Sequence, residues 1–135
     1  SIAPPTARSL LANERAFLVM VRNALFRRAQ AASFERYKEL AELDGSHGFG
    51  EEQWRDALDA YFTEYDEILI DSNARNAALV ELDRGDDVWR FRQVLLDPNG
   101  DRDWGIEGEI DLAESESQGE PVIIVRRVGP LSDAA

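Results

Sequence analysis

Cysteine is absent from this 135-residue chain, which excludes disulfides, thiol catalysis and cysteine-built zinc sites. Histidine occurs once, at His47 in the glycine-rich stretch from Asp44 to Gly50. A zinc site needs several ligands and a general base needs a positioned partner, so His47 reads as an incidental loop residue. No apolar run approaches the roughly 20 residues that cross a bilayer, so no membrane partner is expected. The start, Ser1-Ile2-Ala3-Pro4-Pro5, has no basic cluster ahead of an apolar stretch and no initiator methionine. It reads as a linker over residues 1–12 at a fragment boundary, without a signal peptide. A reducing, cytoplasmic setting fits the missing thiols. Enzyme signatures are missing too: no GxxxxGKS/T phosphate loop, no GxGxxG between a strand and a helix, no GxSxG elbow and no HExxH pair. No catalytic residue, cofactor or metal is expected.

Positive charge is scarce and segregated. The net charge is −12. Residues 8–38 carry seven Arg/Lys against two Glu, whereas residues 39–120 carry six Arg against 24 Asp/Glu. A phosphate backbone is repelled by most of such a surface. The basic first helix, with Arg15, Arg22, Arg27, Arg28, Arg36 and Lys38, is the one place where RNA or an acidic partner would be met. The plainer reading pairs these arginines internally with the acidic bulk.

With 44% hydrophobic residues, the chain has the material for one core, and its length fits one domain over residues 13–129, with a tail at 130–135. Phe17, Met20, Val21, Ala24 and Leu25 recur at helical spacing, with Asn13 as N-cap. Ser33 reads as the cap of a second helix bearing Phe34, Tyr37, Leu40 and Ala41. The three glycines at 45–50 demand a loop. Glu51 to Tyr65, with Trp54, Leu58, Tyr61 and Phe62 on one side, reads as a third helix. After Ile70 the period becomes two. Strands are expected around Ala78–Leu82, Trp89–Leu95, Trp104–Leu112 and Val122–Val128, with Glu114–Glu120 as an acidic turn. Four successive strands with short connections make an antiparallel meander, so the expected class is α+β, helices packed on a sheet. This element order is also that of nuclear transport factor 2-like and cystatin-like rolls. That likeness implies a pocket that binds a small ligand and, in many rolls, dimers formed through the sheet.

Three further groups carry candidate chemistry. Asp97-Pro98-Asn99-Gly100-Asp101-Arg102-Asp103 alternates oxygen side chains as calcium loops do, but its glycine comes fourth and Gly108 occupies the twelfth place where calcium loops have Glu. It reads better as a turn held by Pro98 and Asn99-Gly100. Glu107, Glu109 and Asp111 alternate with Ile106, Gly108 and Ile110, which marks a solvated sheet face, with Arg90 and Arg92 as cross-strand partners. Gln93 shares a face with Trp89, Phe91 and Leu95. A buried amide there needs a partner, and it is the candidate pocket residue.

Two stretches resemble a known family. One is Ala12-Asn13-Glu14-Arg15-Ala16-Phe17 with Val21-Arg22-Asn23-Ala24-Leu25-Phe26-Arg27-Arg28. The other comprises Trp89-Arg90-Phe91-Arg92-Gln93-Val94, the Asp97–Trp104 turn and Glu109-Ile110-Asp111-Leu112-Ala113-Glu114-Ser115. Together they are similar to the C-terminal domain of unknown function in actinobacterial superfamily-2 DEAD/DEAH-box helicases. The resemblance implies an upstream two-lobed motor that binds and hydrolyses ATP and acts on RNA. It implies no catalytic residue within these 135, and it makes the helicase core of the same polypeptide the expected partner.

Overall fold

The computed structural model describes residues 10–132; residues 1–9 of the expected linker and 133–135 of the tail lie outside that range. Helix α1 (Glu14–Ser33) starts where Asn13 accepts the Ala16 N–H at 3.1 Å, which satisfies one orphan donor of the first turn. It buries Phe17, Val21, Leu25, Ala29 and Ala32. Leu10 and Leu11, ahead of Asn13, are partly buried against the same core. Helix α2 (Tyr37–Asp44) is short and leads through a 3-10 turn (Gly45–His47) into α3 (Glu51–Glu64). There the Gly50 N–H donates to Gln53 Oε1 at 2.8 Å, and Trp54, Leu58 and Tyr61 are buried.

The sheet follows as expected: β1 (Val80–Arg84), β2 (Val88–Val94), β3 (Trp104–Asp111) and β4 (Val122–Pro130) pair in chain order, every pair antiparallel. The chain is therefore α+β, its helical half preceding the sheet. Period-two alternation decides which face meets the helices. Trp89 meets Phe17 edge-to-face at 5.3 Å, and Trp104 meets Tyr61 at 5.4 Å, so α1 and α3 are each clamped to the sheet by an aromatic pair. Ile106 and Ile110 lie fully buried beneath them.

A β-bulge interrupts the β3–β4 register between Glu107 and Gly108: Glu107 lies opposite Arg127, and Gly108 opposite Val125. The extra residue, Arg126, is thereby turned to the same outer face as Arg127. Glycine is needed at 108, because a Cβ would lie 2.0 Å from the Ile124 carbonyl oxygen and 2.9 Å from the Phe91 ring.

Three expected boundaries move. Ser33 does not open the second helix; it closes α1, its hydroxyl donating back to the Gln30 carbonyl at 2.7 Å. The reversal is made at Glu35 (φ 53°), and Phe34 is left 54% exposed. The first strand begins at Val80, because Asn76 accepts the Ala78 N–H at 2.8 Å and winds Ala77–Leu79 into a 3-10 turn. The acidic turn is a helix, α4 (Leu112–Gln118), which also takes Leu112 out of the third strand. Asp111 caps it by accepting the Glu114 N–H at 3.0 Å, and Gly119 ends it at φ 77°.

Candidate functional site

Helix α1 presents two different sets of arginines. On its inner side Arg28 is 5% exposed and reaches Asp44, which is fully buried at the end of α2. Arg28 Nε and Nη2 donate to Asp44 Oδ1 at 3.0 and 2.7 Å, and Nη1 donates to the Ala24 carbonyl at 3.0 Å. The other carboxylate oxygen accepts the Trp54 indole N–H from α3 at 3.1 Å. One carboxylate thus ties three helices together. Burial pushes the Asp44 carboxyl up from its ordinary value, against the opposing pull of Arg28 and Trp54. A buried, multiply hydrogen-bonded pair of this kind fixes the geometry of the packed helices more than it adds net electrostatic stability. Arg28 is consumed here and does not belong to the exposed surface. Arg27, although exposed, pairs with Glu39 at 3.4 Å, and Arg36 lies 4.9 Å over the Phe34 ring.

The outer side differs. Arg15, Val19 and Arg22 fall at i, i+4 and i+7, on one exposed stripe. Val19 is 49% exposed, and neither arginine has an ion-pair partner among the described residues. The stripe runs into a cleft of about 230 Å³ between α1, the 3-10 turn Ser72–Arg75 and the start of the sheet. Arg22, Asn23 and Phe26 form one wall, Arg75 and Asn76 the other, and Val80 and Gln93 contribute from β1 and β2. Arg75 Cζ lies over the Phe26 ring, 4.0 Å from its centroid, a cation–π contact that fixes where the guanidinium sits. Gln93 is 2% exposed, and its amide NH₂ donates to the Val94 carbonyl at 3.1 Å.

The remaining candidates are tied up by the fold. Asp97 is buried, and its carboxylate accepts the N–H groups of Asn99 (3.0 Å), Asp101 (2.9 Å) and Arg102 (2.7 Å). Burial acts to raise the Asp97 pKa, but these backbone donors together outweigh it and lower it. Asp101 and Asp103 each lie 2.8 Å from the Tyr65 hydroxyl, which fastens the loop to the end of α3. The bond to Asp101, then burial and the bond to Asp103, push that phenol well above its ordinary range, so it stays a donor. The segment is a turn, and no group of three or more His, Asp or Glu suited to a metal occurs among the described residues.

On the outer sheet face Glu107 accepts from Arg92 at 3.0 Å and from Arg127 at 2.6 Å, while Glu109 accepts from Arg126 at 2.8 Å. Arg90 is in register with Glu109, but Arg126 takes that partner. Asp111 caps α4, and His47 is exposed in its 3-10 turn. Sequence reasoning missed Asp44, Asn23, Arg75 and Asn76. Asp44 sits in a loop-like context, and the three cleft residues have no periodicity in common. The only signal for Asp44 was its placement directly before the glycines, where a short helix must end.

The family described as a domain of unknown function (DUF3516) matches residues 2–128. No curated protein matches, and no solved structure matches.

Proposed function

The chain belongs to the DUF3516 family, and we propose that it serves as a non-catalytic accessory domain at the C-terminal end of an ATP-dependent helicase acting on RNA. In this reading the ATP-driven motor lies upstream, and these residues form a docking platform for it. Two things support the reading. The stretches that resemble helicase C-terminal domains fall on α1, β2, the Asp97–Trp104 turn and the β3–α4 junction, which are the parts that build the platform. The observation that carries the docking role is the Arg15/Val19/Arg22 stripe, an exposed apolar residue between two cations without partners among the described residues. Such a stripe suits a partner surface with a small apolar patch rimmed by carboxylates.

The test is to delete residues 10–132 from the full polypeptide, and separately to introduce Arg15→Glu with Arg22→Glu, then to measure RNA-stimulated ATPase and unwinding. Both changes should lower unwinding while the motor keeps its basal ATPase. If deletion leaves ATPase, unwinding and co-purifying proteins all unchanged, the docking role is wrong.

A further inference from the structure

The cleft beside α1 differs from the rest of this acidic surface. Four other clefts each include a carboxylate in their lining, among them Glu120, Glu107, Asp87 and Asp71. The cleft of Arg22, Asn23, Arg75, Asn76 and Gln93 has none. In a chain of net charge −12, a lining with two guanidiniums and no acid sets a local potential that attracts anions.

The amides give the cleft a direction. Asn76 Oδ1 is engaged by the Ala78 N–H, so the Asn76 side chain has its NH₂ left to offer the cleft. At the base the arrangement is reversed: the Gln93 NH₂ is engaged by the Val94 carbonyl, so Gln93 offers its oxygen. The exposed Asn76 therefore has donors to spare, and the buried Gln93 has an acceptor. The Arg75 guanidinium, anchored over the Phe26 ring in the same lining, is a planar group on which an aromatic ring can stack. The volume, about 230 Å³, is below the roughly 300–1,000 Å³ of drug-sized pockets, which limits the enclosed part of an occupant to about one ring system and leaves the rest, with its anionic group, at the opening.

We propose that this cleft binds a nucleotide unit: the base stacks on Arg75, a base N–H donates to Gln93, and the phosphate meets Arg22 and the Asn23 and Asn76 amides. A nucleoside monophosphate combines the flat ring, the edge donor and the anion that the lining selects. The inference stands without the docking reading. Arg75 and Gln93 belong to the cleft alone, whereas Arg15 belongs to the docking stripe alone.

The test is a titration of the ¹⁵N-labelled 135-residue chain, with side-chain amide resonances observed, against uridine 5′-monophosphate, uridine and a short single-stranded oligouridylate. Saturable shifts of the Asn23, Asn76 and Gln93 amides are expected with the monophosphate. Loss of one charge-assisted contact in Arg22→Ala should weaken binding roughly tenfold, and Arg75→Ala should weaken it similarly. Arg126→Ala, on the outer sheet face, should leave it unchanged. Arg22 and Arg75 are both exposed, and a thermal melt of each variant confirms that it folds. A tighter complex with the oligouridylate at the same amides identifies a strand as the source, and equal affinity identifies the free nucleotide; either supports the site. Uridine binding as tightly as the monophosphate, oligouridylate binding that spares the three amides, or no saturable shift with any of these ligands would overturn the proposal.

Discussion

The two sides of α1 use the same residue type for opposite ends. Arg28, on the inner side, is buried against the Ala24 carbonyl and one carboxylate, Asp44, which also holds the indole of Trp54. Arg15 and Arg22, on the outer side, keep their hydration and have no counter-charge among the described residues. The lesson is that an arginine count along a helix says little about binding. Burial sorts the arginines, and only those left over are free for a partner. The outer sheet face is an intermediate case, where Arg126 and Arg127 are matched to Glu109 and Glu107 near solvent and Arg92 meets Glu107 in a half-buried pair. Those paired charges are neither buried anchors nor available surface, and Arg90, whose register partner Glu109 is taken by Arg126, is the exception on this face.

Variants can break this ordering, beginning at the buried end. Asp44→Ala leaves the Arg28 guanidinium buried with no counter-charge and only the Ala24 carbonyl as acceptor, and the Trp54 N–H unpaired, so urea unfolding should show a loss of about 3–5 kcal/mol. A smaller effect is expected at Asp97, whose carboxylate organises the β2–β3 loop. Replacing it by Asn removes the charge that three backbone donors share, at a cost of about 2–3 kcal/mol near neutral pH. Its folded pKa is depressed, so its contribution is present above the unfolded carboxylate value near 4 and disappears as pH falls through the lower folded value. Urea midpoints measured from pH 6 downward should therefore fall less steeply below about pH 4 in Asp97→Asn than in the parent chain. Smaller still is Arg126→Ala. Its pair with Glu109 is exposed, and calorimetry should register less than about 1 kcal/mol, diminishing with added salt.

Much of this organisation was legible in the sequence, for reasons that differ by element. The α1 and α3 stripes and the β3 alternation are long, and each period repeats often enough to identify both the element and its buried face. Helix α4 was hidden because Glu114-Ser115-Glu116-Ser117 carries no apolar stripe. What forms it is local: the Asp111 cap with Glu114 three residues on, Gly119 at its end, and the buried Ser115 hydroxyl, which accepts the Val122 N–H at 2.8 Å. Ser33 shows the converse, a cap-type residue whose hydroxyl bonded backwards to Gln30. At the candidate site, the basic character of α1 and the oddity of Gln93 could be read directly. The partner of Arg28 could not, because Asp44 is 16 residues away and only the packing of α1, α2 and α3 brings the two together. The cleft was hidden for the same reason, since Arg75 and Asn76 reach Asn23 only through the fold.

The division between the two sides of α1 is tested most directly by equilibrium urea unfolding of the Arg15→Glu/Arg22→Glu double variant. If the outer arginines are held in reserve for a partner, reversing both charges should leave the unfolding free energy within about 0.5 kcal/mol of the parent chain. A loss of several kcal/mol, comparable to that of Asp44→Ala, would mean that the outer stripe is part of the scaffold and would contradict the account.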